Sequence, residues 1–233
     1  MSCCLNDMDF LRENMMGPNS IRIIEELSES FDLKKGMKVL DLGCGMGLTS
    51  IFLAKEFEVT VFAVDLWISA TENYQRFKAL GLQDQIIPIH AEAHDLPFAE
   101  DFFDAAVCID AYHYFGAEKD YLTKHLAPLV KRGGEIAVAV PGLKREFADG
   151  AVPAELLPYW VENMNFYTCN WWHNLWMRSD MVAIKECREM RCHDQAWKDW
   201  LTCDNEYARR DIKMMEDEGG NYFNLILIRA ARL

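Results

Sequence analysis

MKVLDLGCGMG, residues 37–47, joins a short apolar run to a glycine cluster. Val39, Leu40 and Leu42 suit a buried strand, and Gly43, Gly45 and Gly47 follow at once. Glycine permits unusual backbone angles and lets a ligand approach the chain closely. The next residues, LTSIFLAKEF, read as a helix, whose first turn offers unpaired N–H groups to an anionic ligand group. Strand, glycine loop and helix follow one another in that order. The dinucleotide fingerprint G-x-G-x-x-G would need glycine at 48, where this chain has Leu48.

The flanking sequence extends this pattern. SIRIIEELSES, residues 20–30, reads as an amphipathic helix with Ile21, Ile24 and Leu27 on one face. VTVFAVDLW, from 59, reads as a second strand that ends at Asp65, and ISATENYQRFKALGL as a helix stopped near Gly81. IIPIH is a third strand and FDAAVCID, from 103, a fourth. A helix over about 118–130 leads to a turn at Gly133–Gly134, and EIAVAVPG is a fifth strand stopped by Pro141 and Gly142. Apolar strands alternating with helices predict a parallel sheet covered on both faces. After 142 the alternation breaks. MVAIKECREM is read as a sixth strand, 194–216 as one helix, and YFNLILIRAARL as a last strand, antiparallel near the sheet edge. The expected fold is α/β and Rossmann-like, with a mostly parallel seven-stranded sheet and an antiparallel last strand. An aromatic-rich insertion follows strand five. One domain spans 1–233: a helical cover over 1–34, a cofactor-binding core over 35–142, an aromatic segment over 143–182 and the rest of the sheet over 183–233.

Composition narrows the function. The 233 residues are 51% hydrophobic, enough for a full core. With 24 Lys+Arg against 37 Asp+Glu, the net charge is -13. Such a surface repels phosphate backbones and anionic membranes, so neither nucleic acid nor stable membrane association is expected. No signal peptide or apolar span is visible, and the 8 cysteines, including the pair Cys3–Cys4, show no CxxC. A cytoplasmic protein with reduced thiols is expected. No metal is expected. HAEAH (90–94) places its glutamate one position late for a zincin, and Cys187, Cys192 and His193 lack ligand spacing.

Two acids frame the loop. Asp41 stands two residues before Gly43, in reach of a cationic amine. Asp65 ends the second strand, where an acid accepts hydrogen bonds from ribose hydroxyls. At this point the sequence resembles the class I S-adenosylmethionine-dependent methyltransferases. VLDLGCGMG resembles their first motif, and VDLW the acidic end of their second strand. HAEAHDLPFAEDFFDAAVCIDAYHYF resembles their adenine loop and fourth strand, and LAPLVKRGGEIAVAVPG the following turn and strand. The resemblance covers about 35–142, with a style closest to the small-molecule, ubiquinone/menaquinone-type branch.

The resemblance implies S-adenosylmethionine as cofactor and S-adenosylhomocysteine as product. It implies that Gly43 and Gly45 border the methionine part, with Asp41 near its ammonium and Thr49 near its carboxylate. Asp65 binds the ribose, Leu66 and Trp67 lie against the adenine, and Glu92 and Ala93 contact the adenine edge. The family often has Asp at the position of Glu92. Asp110 sits beside the methionine moiety, and Cys44 is packing rather than a nucleophile.

His113 and Tyr114 follow the fourth strand on the ligand side and are the candidate catalytic residues. His113 is read either as a general base or as pocket lining. Six of the 7 tryptophans lie at 160, 171, 172, 176, 197 and 200. The segment around 151–180 is read as a cap over the site, an auxiliary core or a homodimer face. MMGPN, 15–19, is read as a cofactor cover or a helix entry. The expected activity is methyl transfer to a small-molecule nucleophile, with N, O, S and C acceptors open. The alternatives are a catalytically silent S-adenosylmethionine-binding protein, a nicotinamide-dependent oxidoreductase, and metalloid methylation through converging cysteines.

Overall fold

A computed structural model describes residues 4–233; residues 1–3, with Cys3, lie outside the described residues. The N-terminal cover consists of α1 (Met8–Asn14) and α2 (Ser20–Ser28), each started by a side-chain cap, Asp7 and Asn19. The core then alternates: β1 (Lys38–Leu42), α3 (Leu48–Phe57), β2 (Thr60–Asp65), α4 (Ala70–Ala79), β3 (Ile86–His90), β4 (Phe103–Ile109) and β5 (Val130–Leu143). Beyond it come β6 (Tyr167–Thr168), α5 (Cys169–Trp176), β7 (Val182–Glu189), α6 (His193–Trp200), α7 (Glu206–Glu218) and β8 (Phe223–Arg232).

The sheet order is β3-β2-β1-β4-β5-β8-β7, and β6 adds two residues alongside the end of β5. Strands β1 to β5 pair in parallel, and β8 runs antiparallel to both β5 and β7. The expected antiparallel last strand is therefore present. The short β6 is an eighth strand that the sequence reading lacked.

Burial explains the strands. In β4 the side chains of Ala105, Val107 and Ile109 join one core, and those of Ala106 and Cys108 the other. This period of two, with both faces apolar, is the signature of a strand covered on both sides. The helices α1 to α4, α6 and α7 contribute to the first core. The second is filled by Tyr112, Tyr121, Leu126, Trp172 and Trp176.

Three expectations are corrected. The helix expected over 118–130 is a π-helical turn (Leu122–Leu126) followed by a 3-10 turn (Ala127–Leu129). Pro128 has no N–H to continue an α-helical ladder. The helix expected over 194–216 is two helices. α6 ends at Trp200, and Asn205 starts α7 by accepting from the Ala208 N–H at 2.9 Å. The region 151–180, read as irregular, contains α5, capped by Thr168.

The strand order reverses between β1 and β4. In an open parallel sheet the crevice for ligands lies beyond the carboxyl ends of the strands at that reversal. Gly43 and Asp110 sit at those two ends.

Candidate functional site

The glycine loop is held by backbone contacts. The N–H groups of Gly43 and Cys44 both donate to Val64 O, at 2.8 and 3.0 Å, and Gly47 N donates to Cys44 O at 2.8 Å. Gly43 has φ +73°, and a Cβ there would lie 2.3 Å from Cβ of Ala111, so only glycine lets the ends of β1 and β4 approach this closely. Asn73, buried on α4, donates to Gly45 O at 2.9 Å and ties the loop to the next helix. No side chain caps α3, so its first N–H groups stay available beside buried Thr49.

Around this loop lies a cleft of about 990 Å³, counting its open mouth. It is lined by the glycine loop, Thr49, Asp65, Leu66, Trp67, Glu92, Ala93, Asp110 and Tyr114. Met15 to Pro18 form its other wall, so MMGPN both covers the cleft and, through Asn19, enters α2. Among the described residues that line the cleft, the charged side chains are Asp65, Glu92 and Asp110, with no Lys, Arg or His.

Each expected cofactor residue has a definite placement. Asp65 uses Oδ2 to accept from Gly45 N at 2.8 Å, and Oδ1 to accept from Trp67 N and Ile68 N at 2.7 and 2.9 Å. A carboxylate has about four lone-pair sites. Three are in use, which leaves roughly one for a ligand hydroxyl while the loop keeps its bonds. Leu66 and Trp67, which line the cleft, are exposed at 51% and 65%. Glu92 faces outward, its Oε1 2.7 Å from His94 Nδ1, while His94 Nε2 lies 3.1 Å from Glu118. Ala93 O accepts from Tyr121 Oη at 3.0 Å.

Asp41 differs from its expectation. It does not line the cleft. It is buried beneath the loop, with Oδ2 accepting from Ser50 Oγ at 2.6 Å and Oδ1 without a partner. Burial pushes its carboxyl up to about 7, against the Ser50 hydrogen bond, with repulsion from Asp65 adding to the rise. Cys44 is buried, and burial raises its thiol well above the ordinary range, so it carries little thiolate for nucleophilic attack. Among the seven described cysteines only Cys44 lines the cleft, so no convergence of thiols serves metalloid chemistry there.

A second cavity, about 1030 Å³ with its mouth, adjoins the first. Met16, Gly17, Pro18, Asp110 and Tyr114 line both. Its far walls come from 159–166 and from Trp197, Trp200, Tyr207, Arg210, Asp211 and Met214. Asp110 has φ +55°, and Gly17 passes so close that a Cβ there would lie 2.0 Å from Asp110 Oδ2.

His113 lines this second cavity at 4% exposure. Burial pushes its ring down to about 3, so it stays neutral and is a weak base near neutral pH. Of its two readings, lining fits this environment. Tyr114, 51% exposed, is raised above its ordinary range by partial desolvation and by repulsion from Asp110 and Asp211, so it stays a neutral phenol.

The aromatic segment divides its work. Trp172 and Trp176 are buried against Tyr112, at ring distances of 5.8 and 5.9 Å, as an auxiliary core. These two indoles are therefore not an exposed dimer face. Tyr159, Val161, Asn163, Met164 and Phe166 line the second cavity. α7 contributes a wall that was not expected from the sequence. Tyr207, Arg210, Asp211 and Met214 have the spacing i, i+3, i+4, i+7 of one helical face, and that periodicity was the available signal.

Known proteins share this core. Residues 39–134 match the family model described as a methyltransferase domain. Methyltransferase GfsG of Streptomyces halstedii is 32% identical over 119 residues, 51% of this chain and 42% of that protein. O-methyltransferase rstn1 of Aspergillus nomiae is 26% identical over 129 residues, 55% of this chain and 57% of that protein. The chain thus spans about half the length of these curated relatives. Among solved structures, geranyl diphosphate C-methyltransferase from Streptomyces coelicolor A3(2) matches with a TM-score of 0.73. That structure is a complex with Mg2+, geranyl diphosphate and S-adenosyl-L-homocysteine. It is 15% identical, covering 92% of this chain and 81% of that one, a likeness of fold.

Proposed function

We propose that this chain, whose residues 39–134 match a methyltransferase domain, transfers a methyl group from S-adenosylmethionine to a small-molecule nucleophile. The carrying observation is the acid-lined cleft at the strand reversal, continuous with a second, aromatic-walled cavity. A cleft whose charged groups are all carboxylates disfavours a dinucleotide pyrophosphate and suits a ligand with sulfonium and ammonium charges. This argues against the nicotinamide reading independently of Leu48, which is buried at the start of α3.

The residues fit that cofactor. Gly43 and Gly45 border its methionine part, and the uncapped start of α3 with Thr49 receives its carboxylate. Asp65 takes a ribose hydroxyl, and exposed Leu66 and Trp67 gain cover from the adenine. Glu92 and Ala93 lie at the adenine edge. Asp110, which lines the cleft, faces the cationic end, while Asp41 acts from beneath the loop through its charge. The bound sulfonium supplies an electrophilic methyl group. The chain aligns the acceptor at the junction beside Asp110 and Tyr114, and Met15 to Pro18 with the 159–166 cap exclude water there.

Titration calorimetry with S-adenosylmethionine, S-adenosylhomocysteine and NAD tests the reading. The first two are expected to bind and NAD is not. Binding of NAD alone would sink the proposal. Cofactor binding without turnover across amines, phenols, thiols and acidic carbon nucleophiles would favour the silent-binder alternative.

A further inference from the structure

The second cavity has a chemistry that the fold does not dictate. Trp197, Trp200, Tyr114, Tyr159 and Phe166 supply aromatic surface, and Asp110 and Asp211 supply two carboxylates. Asp211 projects from α7, and its Oδ2 accepts from the buried Trp200 Nε1 at 2.8 Å, which fixes the carboxylate's orientation. Among the described residues no group donates a hydrogen bond to the Asp110 carboxylate. In the cavity's walls, Nδ1 of His113 and Nε1 of Trp197 are buried without partners, on residues 4% and 5% exposed. The cavity's cation is Arg210, and it stands on an exposed stretch of α7.

Resting on the methyltransferase reading, we propose that the methyl acceptor is an amine that enters as a cation and is recognised by the Asp110–Asp211 pair within the aromatic walls. Both carboxylates line one cavity, both are raised by burial, and Asp110 is also raised by repulsion from Asp211. A cation between them relieves both costs. Aromatic faces add cation–π attraction to an ammonium in a desolvated site. A neutral His113 ring adds no positive charge to oppose it.

The same pair serves the reaction. An ammonium has no lone pair, so one proton passes from it to the carboxylate pair, which holds it as a neutral acid. The freed nitrogen lone pair forms the bond to the methyl carbon as the carbon–sulfur bond breaks, and that bond's electron pair stays on sulfur. The positive charge ends on the new, methylated ammonium, and the pair later returns its proton to water. Asp211 is thus the specificity-determining residue, and Asp110 stands where the two cavities meet.

Calorimetry on protein saturated with S-adenosylhomocysteine tests this with probes that cannot be methylated at nitrogen. Benzyltrimethylammonium is the cation, 3-phenylpropionate the anion and 3-phenylpropanol the neutral control. The cation is expected to bind at least tenfold tighter than either of the others. In Asp211→Asn, which keeps an acceptor for Trp200, that preference is expected to fall at least fivefold with S-adenosylhomocysteine affinity unchanged within twofold. Asp211→Glu is expected to keep a preference. Should Asp211→Asn fail to fold, the wild-type ranking alone decides. Equal binding, or preference for the anion, overturns the amine proposal while the methyltransferase reading stands. Failure of S-adenosylhomocysteine to bind instead strikes the methyltransferase reading, and the same ranking is then read on the free protein.

Discussion

Asp41 is the residue whose position in the sequence said most and whose environment said something different. Its spacing from Gly43 placed it at the loop, and it is there, but beneath it and without access to the cleft. A buried carboxylate with one unpartnered oxygen is costly when charged. Its folded carboxyl titrates at about 7, above the ordinary 3.8. The folded state therefore holds the proton more tightly than the unfolded one. The stabilising effect is complete below pH 3.8, and is lost as pH rises toward and through 7. Asp41→Asn removes that loss. Urea unfolding at pH 5, 6, 7 and 8 is expected to show a gain for the variant that grows up to about pH 7 and then levels off. Its size is expected to be roughly 1–4 kcal/mol, from about 1.4 kcal/mol per unit of pKa difference. Affinity for S-adenosylmethionine is expected to fall about tenfold in the same variant, a loss of roughly 1.4 kcal/mol of cofactor attraction. A gain independent of pH would refute the buried-charge account. His113 teaches the same lesson: its type and place were legible, but desolvation by Phe166 and the cavity walls depends on segments far apart in the chain.

At the scale of elements, the parallel core was legible because its strands are apolar runs that need burial on both faces, and because glycine and acidic residues mark their ends. The region beyond 142 was harder to read, for specific reasons. LTCDN, residues 201–205, contains neither glycine nor proline, so nothing announced the break between α6 and α7. Yet Asn205 is a good N-cap, and its side chain sets where α7 begins. α5 was masked by its own tryptophans, although Trp172 and Trp176 stand four apart on one face. The cap at Asn205 has a functional consequence, because α7 presents Tyr207 and Asp211 to the second cavity. Asn205→Ala is expected to cost about 1 kcal/mol of stability. Hydrogen exchange is expected to speed up in the first turn of α7 and not in α3 or α4, and S-adenosylhomocysteine affinity is expected to hold. Uniformly faster exchange across the sheet would mean that Asn205 supports the whole fold rather than the start of one helix.

At the scale of the molecule, an N-terminal helix is tied to a C-terminal one. α2 carries three anchors to the region around α6. Asn19 Nδ2 donates to Asp199 Oδ2 at 2.8 Å, the Arg22 guanidinium pairs with the same carboxylate, and Glu26 reaches the start of α6. Glu26 is 6% exposed and accepts from Arg191 N at 3.1 Å and Cys192 N at 2.8 Å, besides its ion pair with Arg188. Burial alone would raise this carboxyl, but those backbone and guanidinium donors outweigh it and hold it down at about 2. Arg188 keeps Glu186 and Arg191 keeps Glu29, but the Arg191 and Cys192 N–H groups lose their acceptor, so Glu26→Ala is expected to cost about 1–3 kcal/mol. The sign with pH is opposite to that of Asp41. Here the folded value lies below the ordinary 4.5, so the stabilisation is present above 4.5 and is lost as pH falls toward 2. Denaturant melts from pH 7 to 3 are expected to show an acid decline in wild type that is reduced in Glu26→Gln. Because Met16 to Pro18, between α1 and α2, wall both cavities, loosening this tie also opens the site. Glu26→Gln is therefore expected to weaken S-adenosylhomocysteine and benzyltrimethylammonium together. A variant destabilised by several kcal/mol that still bound both ligands as wild type does would show that the cover is seated by its own contacts at the cleft, not by the grip of α2 on α6.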